Sequence, residues 1–293
     1  MRKHSLLVVF IVSSLVACEK SINLIPEKGV PALVVEATIE NGRPPIVVLS
    51  NSLDYFSKID SQVLDASFVH DALVEISDGA QKRQLKEFMV SGKGTNRYFY
   101  SIDTAAPQPY LGQLGGSYTL TISTGQKTYS ATTTIPRLAK TIDSLWWEPV
   151  PVSADSNLAR LMVNVTDPAG YGNYIRYFTK VNGEPFWPGL NSVFDDQIID
   201  GKTYVVQVDR GVNRNEKLDR ENFNFFTRGD TVAFKFCNID KATFDFWRTM
   251  EYSYASIGNP FSSPAKVLGN INGGALGYFG GYACQYRSLV IPR

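Results

Sequence analysis

Short runs in which every second residue is apolar, cut apart by glycine- and asparagine-rich turns, recur along most of this chain and restrict it to a β fold. Leu33, Val35, Ala37 and Ile39 alternate with Val34, Glu36, Thr38 and Glu40, the period of a half-buried strand. Asn41-Gly42 marks a turn, Pro44-Pro45 stiffens it, and Ile46-Val47-Val48-Leu49 reads as the next strand. The polar stretch from Asn51 to Phe68 reads as a long loop. Alternation returns at Ala72, Val74 and Ile76 before Asp78-Gly79, and Tyr98-Phe99-Tyr100 is a further strand. Tyr118, Leu120 and Ile122 then lead through Thr124-Gly125 into Tyr129, Ala131, Thr133 and Ile135. Many short strands with no helical stripe between them predict an antiparallel β-sandwich of the immunoglobulin or transthyretin kind over residues 32–137.

Residues 138–293 predict a second antiparallel β-rich domain, opened by Asp143-Ser144-Leu145-Trp146-Trp147 beyond a junction at Pro136 to Ile142. Leu161, Val163 and Val165 share a face; Tyr174 to Val181 runs into Asn182-Gly183, and Tyr204, Val206 and Val208 follow Asp200-Gly201. Both dipeptides suit a type I′ turn, whose two central residues need positive φ. Val232, Phe234 and Phe236 form the most apolar strand face. One amphipathic helix stands out at about residues 240–256, with Asp240 as N-cap, Phe244, Trp247, Met250 and Tyr254 at helical spacing, and Gly258 and Pro260 to stop it. Such a stripe is what a sheet-covering helix needs. Lys266 to Ile271 and Leu276 to Ile291 read as closing strands, with Gly277, Gly280 and Gly281 at turns or close-packed strand positions.

The N-terminus decides where such a chain resides. Met1-Arg2-Lys3-His4 is basic, and the apolar run Leu6 to Val12 is far short of the ~20 residues that span a bilayer. Residues 1–17 therefore read as a signal peptide. Leu15-Val16-Ala17-Cys18 resembles a bacterial lipobox, which implies acylation of Cys18, a membrane partner through that lipid, and residues 18–31 as a tether. Each acyl chain contributes about 0.8 kcal/mol per buried methylene, and stable anchoring takes two chains or signals. Cleavage removes 17 of 293 residues, leaving 276, near the length at which one core gives way to two. It also removes two of 29 basic residues and none of 28 acidic ones, so the mature charge is near zero and nucleic acid is not an expected partner.

Chemistry is sparse. With Cys18 acylated, Cys237 and Cys284 remain as a pair in an oxidising compartment, and both a bridge and two separate buried thiols stay open. Neither a metal nor a cofactor is expected: two distant cysteines and one mature histidine, His70, do not make a zinc cluster. The acids near Asp195 to Asp200 lack an EF-type calcium loop, and the glycine clusters at 91–95 and 112–116 lack a following helix that would cradle phosphate. No Gly-x-Ser-x-Gly elbow accompanies His70, so a serine triad is not predicted. Asp195 and Asp196, with Asp200, Asp209 or Glu184 as a second member, leave open a glycosidase-like carboxylate pair, although acids beside turns are ordinary. The exposed candidate for binding is Pro185-Phe186-Trp187-Pro188-Gly189, where Phe186 and Trp187 could stack on a sugar ring or a peptide or fold back onto the core.

Several segments together resemble a Bacteroidota lipoprotein family known only as a domain of unknown function, number 4249. They are the lipobox at Cys18, Leu33-Val34-Val35-Glu36, Gly116-Ser117-Tyr118-Thr119-Leu120, Ile142-Asp143-Ser144-Leu145, and the ordered tail of Phe246-Trp247, Gly258-Asn259-Pro260-Phe261-Ser262-Ser263-Pro264 and Leu276-Gly277-Tyr278-Phe279-Gly280. The resemblance implies an outer-membrane lipoprotein that assists a TonB-dependent receptor in uptake, without catalysis, and it assigns no binding residue. Glu19, directly after Cys18, resembles a surface-sorting signal, but leaves the periplasmic and cell-surface faces both open. A carbohydrate-active enzyme using the loop carboxylates and a structural or adhesive surface lipoprotein are the alternatives.

Overall fold

The computed structural model describes residues 31–53, 60–92, 96–103, 105, 109–151, 155–219, 221–257, 259 and 266–293. The expected signal peptide, Cys18, Glu19 and the tail segment at 258 and 260–265 lie outside the described residues. The chain forms β1 (Leu33–Glu40), β2 (Ile46–Asn51), helix α1 (Ser61–Ser67), β3 (Leu73–Ser77), β4 (Lys82–Gln84), β5 (Lys86–Ser91), β6 (Asn96–Ser101), β7 (Ser117–Thr124) and β8 (Lys127–Thr134). It continues through β9 (Thr141–Pro149), β10 (Leu158–Thr166), β11 (Tyr174–Val181), β12 (Trp187–Phe194), β13 (Thr203–Val208), β14 (Phe226–Thr227), β15 (Thr231–Ile239), helix α2 (Lys241–Ser256) and β16 (Leu276–Val290). The fold is mostly β, as the alternation predicts.

The central element is an eight-stranded sheet in the order β12-β11-β15-β16-β1-β2-β6-β5. Two four-stranded sheets cover one of its faces: β4-β3-β7-β8 beside β1, and β13-β10-β14 with β9 on the other flank of β10 beside β11 and β15. Val35, Ala37, Ile39 and Phe279 meet Val74, Ile76, Leu120 and Ile122 in the first core. Tyr177, Phe234 and Phe236 meet Leu161, Val163 and Val165 in the second. The boundary expected near residue 137 falls in the link between β8 and β9, yet the central sheet draws strands from both sides of it. Residues Pro31–Arg293 accordingly form one compact unit.

The strand ladders are antiparallel except that of β1 on β16, which runs parallel from Val34 opposite Leu276 to Glu40 opposite Tyr282. Glycine makes this seam feasible. Gly277 has φ +101°, and a Cβ there would lie 1.9 Å from the Val35 carbonyl oxygen. A Cβ on Gly281 would lie 2.3 Å from the Thr134 carbonyl oxygen, so β16 can run close beneath β8 only without a side chain.

The structure departs from the sequence expectation in several segments, β4, β5 and β12 among them. The stretch read as a loop up to Phe68 contains α1, started by Asp60, whose carboxylate accepts from Val63 N at 2.9 Å. A seven-residue helix carries too little periodicity to announce itself. Lys266 to Ile271 does not become a strand; the Asn270 side chain instead takes the backbone hydrogen-bonding groups of Phe279. The long helix forms where its stripe predicts. Asp240 Oδ1 accepts from Thr243 N at 2.8 Å, and Oδ2 accepts from Thr133 Oγ1 at 2.7 Å, tying the helix start to β8.

Candidate ligand-binding cleft

The second face of the central sheet carries chemistry instead of a covering sheet. Alternation along each strand decides which residues reach it: Glu36, Thr38 and Glu40 from β1, Tyr278, Tyr282, Cys284 and Tyr286 from β16, Lys235 and Cys237 from β15, and Arg176 and Phe178 from β11. The registers place Glu40 beside Tyr282, Lys235 beside Tyr286, and Arg176 beside Cys237, which itself faces Cys284. Helix α2 covers part of this face with Phe244, Phe246, Trp247 and Met250. Between the helix, the β11–β12 hairpin and the loop around Asn213 a cleft of about 550 Å³ remains.

Arg176 is its organising residue. Although charged, it is 4% exposed. Its Nε donates to Ser192 Oγ at 3.1 Å and its Nη1 to Tyr282 Oη at 3.2 Å. The guanidinium carbon stands 3.4 Å from the Trp247 ring centre and 4.8 Å from that of Phe178. Cation–π attraction strengthens where water is excluded. Trp247 Nε1 also donates to Tyr282 Oη, at 3.0 Å, and the Tyr282 and Tyr278 hydroxyls lie 3.2 Å apart. A hydroxyl already accepting two donors turns its own proton outward, here towards Tyr278.

The acids around this cation differ in how fully they are matched. Glu251, on α2, accepts from Ser192 N at 3.0 Å and Ser192 Oγ at 2.5 Å. Burial raises its carboxyl above the usual carboxylate range, against the pull of Ser192, Arg176 and Arg214. Glu40 receives Lys235 Nζ at 2.5 Å, Arg43 at 3.1 Å and the Tyr286 hydroxyl. Burial in turn lowers Lys235, opposed by Glu40. Glu36 has no hydrogen bond or ion pair within the described residues. It is open to water from the cleft, yet the protein around it displaces enough solvent to raise its carboxyl, with Arg176 and Arg97 acting the other way.

Phe186 and Trp187 stand at the rim of this cleft, both half-buried. Phe186 lies edge-on to Tyr286 with ring centres 5.8 Å apart. The backbone of Trp187 is held close by Gly211, where a Cβ would come within 2.0 Å of the Trp187 carbonyl oxygen. Cys237 and Cys284 form a disulfide across β15 and β16, with Cα atoms 4.0 Å apart, beside Arg176 on the same face. The helix stripe divides: Phe244 is buried, whereas Trp247 lines the cleft and Tyr254 is exposed at its edge.

The remaining sequence candidates lie elsewhere. His70 is exposed and paired with Glu87 at 2.5 Å. Asp196 is 1% exposed, and its carboxylate accepts from Gly172 N at 3.1 Å and Asn173 N at 2.9 Å. Those backbone donors hold the acid below its ordinary range even though burial pushes it the other way. Asp195 accepts from Gln197 N in its own turn. Carboxylate oxygens of Asp167, Asp196 and Asp200 lie within 4.8 Å of one another, the spacing of a cation site. Lys140 Nζ already stands 3.3 Å from Asp167 Oδ1 with both side chains 0% exposed, so the chain supplies its own cation there.

Sequence reasoning missed Arg176 and Glu36, because a charged residue on alternating strands reads as an outward-facing one. A signal was present in Tyr174-Ile175-Arg176-Tyr177-Phe178, where one charge interrupts an otherwise apolar and aromatic run. A family model described as Domain of unknown function (DUF4249) matches residues 20–287. No curated protein matches the sequence.

Proposed function

The chain belongs to the family Domain of unknown function (DUF4249), and on that premise we propose that it is a non-catalytic, lipid-anchored binding protein of the outer membrane that assists a TonB-dependent uptake system. The supporting observation is the preorganised state of the cleft. Arg176 is locked by Trp247, Phe178, Ser192 and Tyr282, while neither its Nη2 nor the Glu36 carboxylate has a hydrogen-bonding partner among the described residues. A cleft of about 550 Å³ is in the range of small-molecule sites, which join apolar walls to a few fixed polar groups. Rigid aromatic edges at Phe186 and Trp187 with an unpaired acid and a part-used guanidinium suit a ring-bearing ligand that both accepts and donates hydrogen bonds, such as a sugar or a peptide.

The lipobox at Cys18 supports the anchor and the Bacteroidota likeness supports the receptor. Retention of a TonB-dependent receptor from solubilised outer membranes by the native lipoprotein, and its loss with Cys18→Ala, is the expected result of a pull-down. Recovery of lipid and bulk porins alone would remove the receptor from the proposal.

A further inference from the structure

The opposite side of the central sheet holds a second opening. Where β11 and β15 face β10 and β13, the two sheets part towards their outer edge and leave a cavity of about 510 Å³. Its walls are Val163, Val165, Ile175, Phe234 and Phe236, and its mouth carries Phe194, Ile198 and Val206 at 47, 87 and 44% exposure. Three large apolar side chains left in water around a mostly apolar cavity are what a binding mouth presents and a closed core does not.

The cavity also holds a specific polar group. Tyr177 is only 7% exposed, lines the cavity, and its hydroxyl makes no hydrogen bond among the described residues. Gly189 creates the room for that hydroxyl, since a Cβ there would lie 2.1 Å from it. The hydroxyl keeps contact with solvent and, unpaired among the described residues, is free to donate to a ligand acceptor. The charges facing it set the acceptor's character. Asp209 and Asp195 border the cavity, and Tyr177 is raised by burial and by the negative charges of Asp209 and Glu251, so an anionic acceptor is disfavoured. Arg248, at the mouth, lies over the Phe244 ring at 5.8 Å.

We propose that this cavity is a second ligand site, independent of the cleft, for a neutral apolar molecule whose carbonyl or ester oxygen accepts the Tyr177 hydroxyl proton. Two neutral dyes read it out in fluorescence titrations of the full protein: Nile red, which has a carbonyl, and diphenylhexatriene, which is pure hydrocarbon. Wild type is expected to bind both saturably at one site. Val206→Trp fills the mouth and should weaken both by about tenfold or more, whereas Val205→Trp, equally bulky but pointing away from the cavity, should change neither. Tyr177→Phe keeps the volume and should weaken Nile red about fivefold while leaving diphenylhexatriene unchanged. Trp187→Ala, in the cleft, should affect neither dye. Absence of saturable dye binding by wild type, or equal effects of Val205→Trp and Val206→Trp, would overturn the site; equal loss of both dyes in Tyr177→Phe would overturn the role of the hydroxyl.

Discussion

Arg176 and Trp247 are stacked at 3.4 Å and donate to the same acceptor, the Tyr282 hydroxyl. The contact joins β11 to α2, two elements far apart in the chain, and it sets both the floor and one wall of the cleft. A planar, delocalised cation suits this position because it can stack on an indole and still direct its N–H groups in fixed directions.

Replacing Arg176 therefore tests more than charge. Arg176→Lys should lower stability by about 2–3 kcal/mol, since an ammonium can neither stack flat on Trp247 nor reach Ser192 and Tyr282 together. Arg176→Met should cost at least as much, because Glu251 is left without its neighbouring cation, and Glu251→Gln should return part of that loss. Urea unfolding of the two single variants and the double variant measures each value.

Glu251 gives the fold a distinct pH signature. Its folded pKa lies above the ordinary 4.5, so in the window between those values the native state holds a proton that the unfolded chain has lost. Stability from this group consequently falls as pH rises through the window and is highest at and below its lower end. Melting temperatures of Glu251→Gln between about pH 4.5 and neutrality should show a flatter decline than wild type. Asp196, with its lowered pKa, contributes in the opposite sense and below 3.8, outside this window.

Lys140 and Asp167 are a fully buried pair, 3.3 Å apart and 0% exposed. Lys140→Met leaves Asp167 beside Asp196 and Asp200 with no cation, and about 3–5 kcal/mol of stability should be lost. Addition of Asp167→Leu should recover much of it, because an apolar pair of similar size carries no desolvation cost. Thermal unfolding of the single and double variants checks the difference.

The Cys237–Cys284 bridge closes a segment of 47 residues that contains all of α2. Chain-entropy arguments assign such a loop about 4 kcal/mol. Cys237→Ser with Cys284→Ser should lower stability by about that amount, and urea unfolding of wild type reduced in the unfolded state should show the same difference from the oxidised protein.

The strand pattern was legible because a residue's face follows from period two alone. Val35, Ala37 and Ile39 inward and Glu36 outward hold as alternation predicts. What alternation cannot carry is which strand lies beside which. Glu36 meets Tyr278 only through the parallel β1–β16 ladder, between residues 242 positions apart, and the cleft exists only because of that pairing. Phe186 and Trp187 were visible as aromatics between prolines beside a turn. Arg176 was not, since the feature that distinguishes it, burial against Trp247, is tertiary. The same holds for the cavity at Tyr177, whose strand pattern is indistinguishable from that of a closed core.

On the function proposed above, the cleft binds the molecule that a TonB-dependent partner receptor would transport. Isothermal titration of the full-length protein with the substrate of a receptor recovered in the pull-down, for wild type and for Phe186→Ala with Trp187→Ala, separates the outcomes. Wild type should show saturable one-site binding, and the double variant an affinity at least about tenfold weaker with an unchanged melting temperature. Equal affinities in the two proteins, or no binding by wild type, would contradict it.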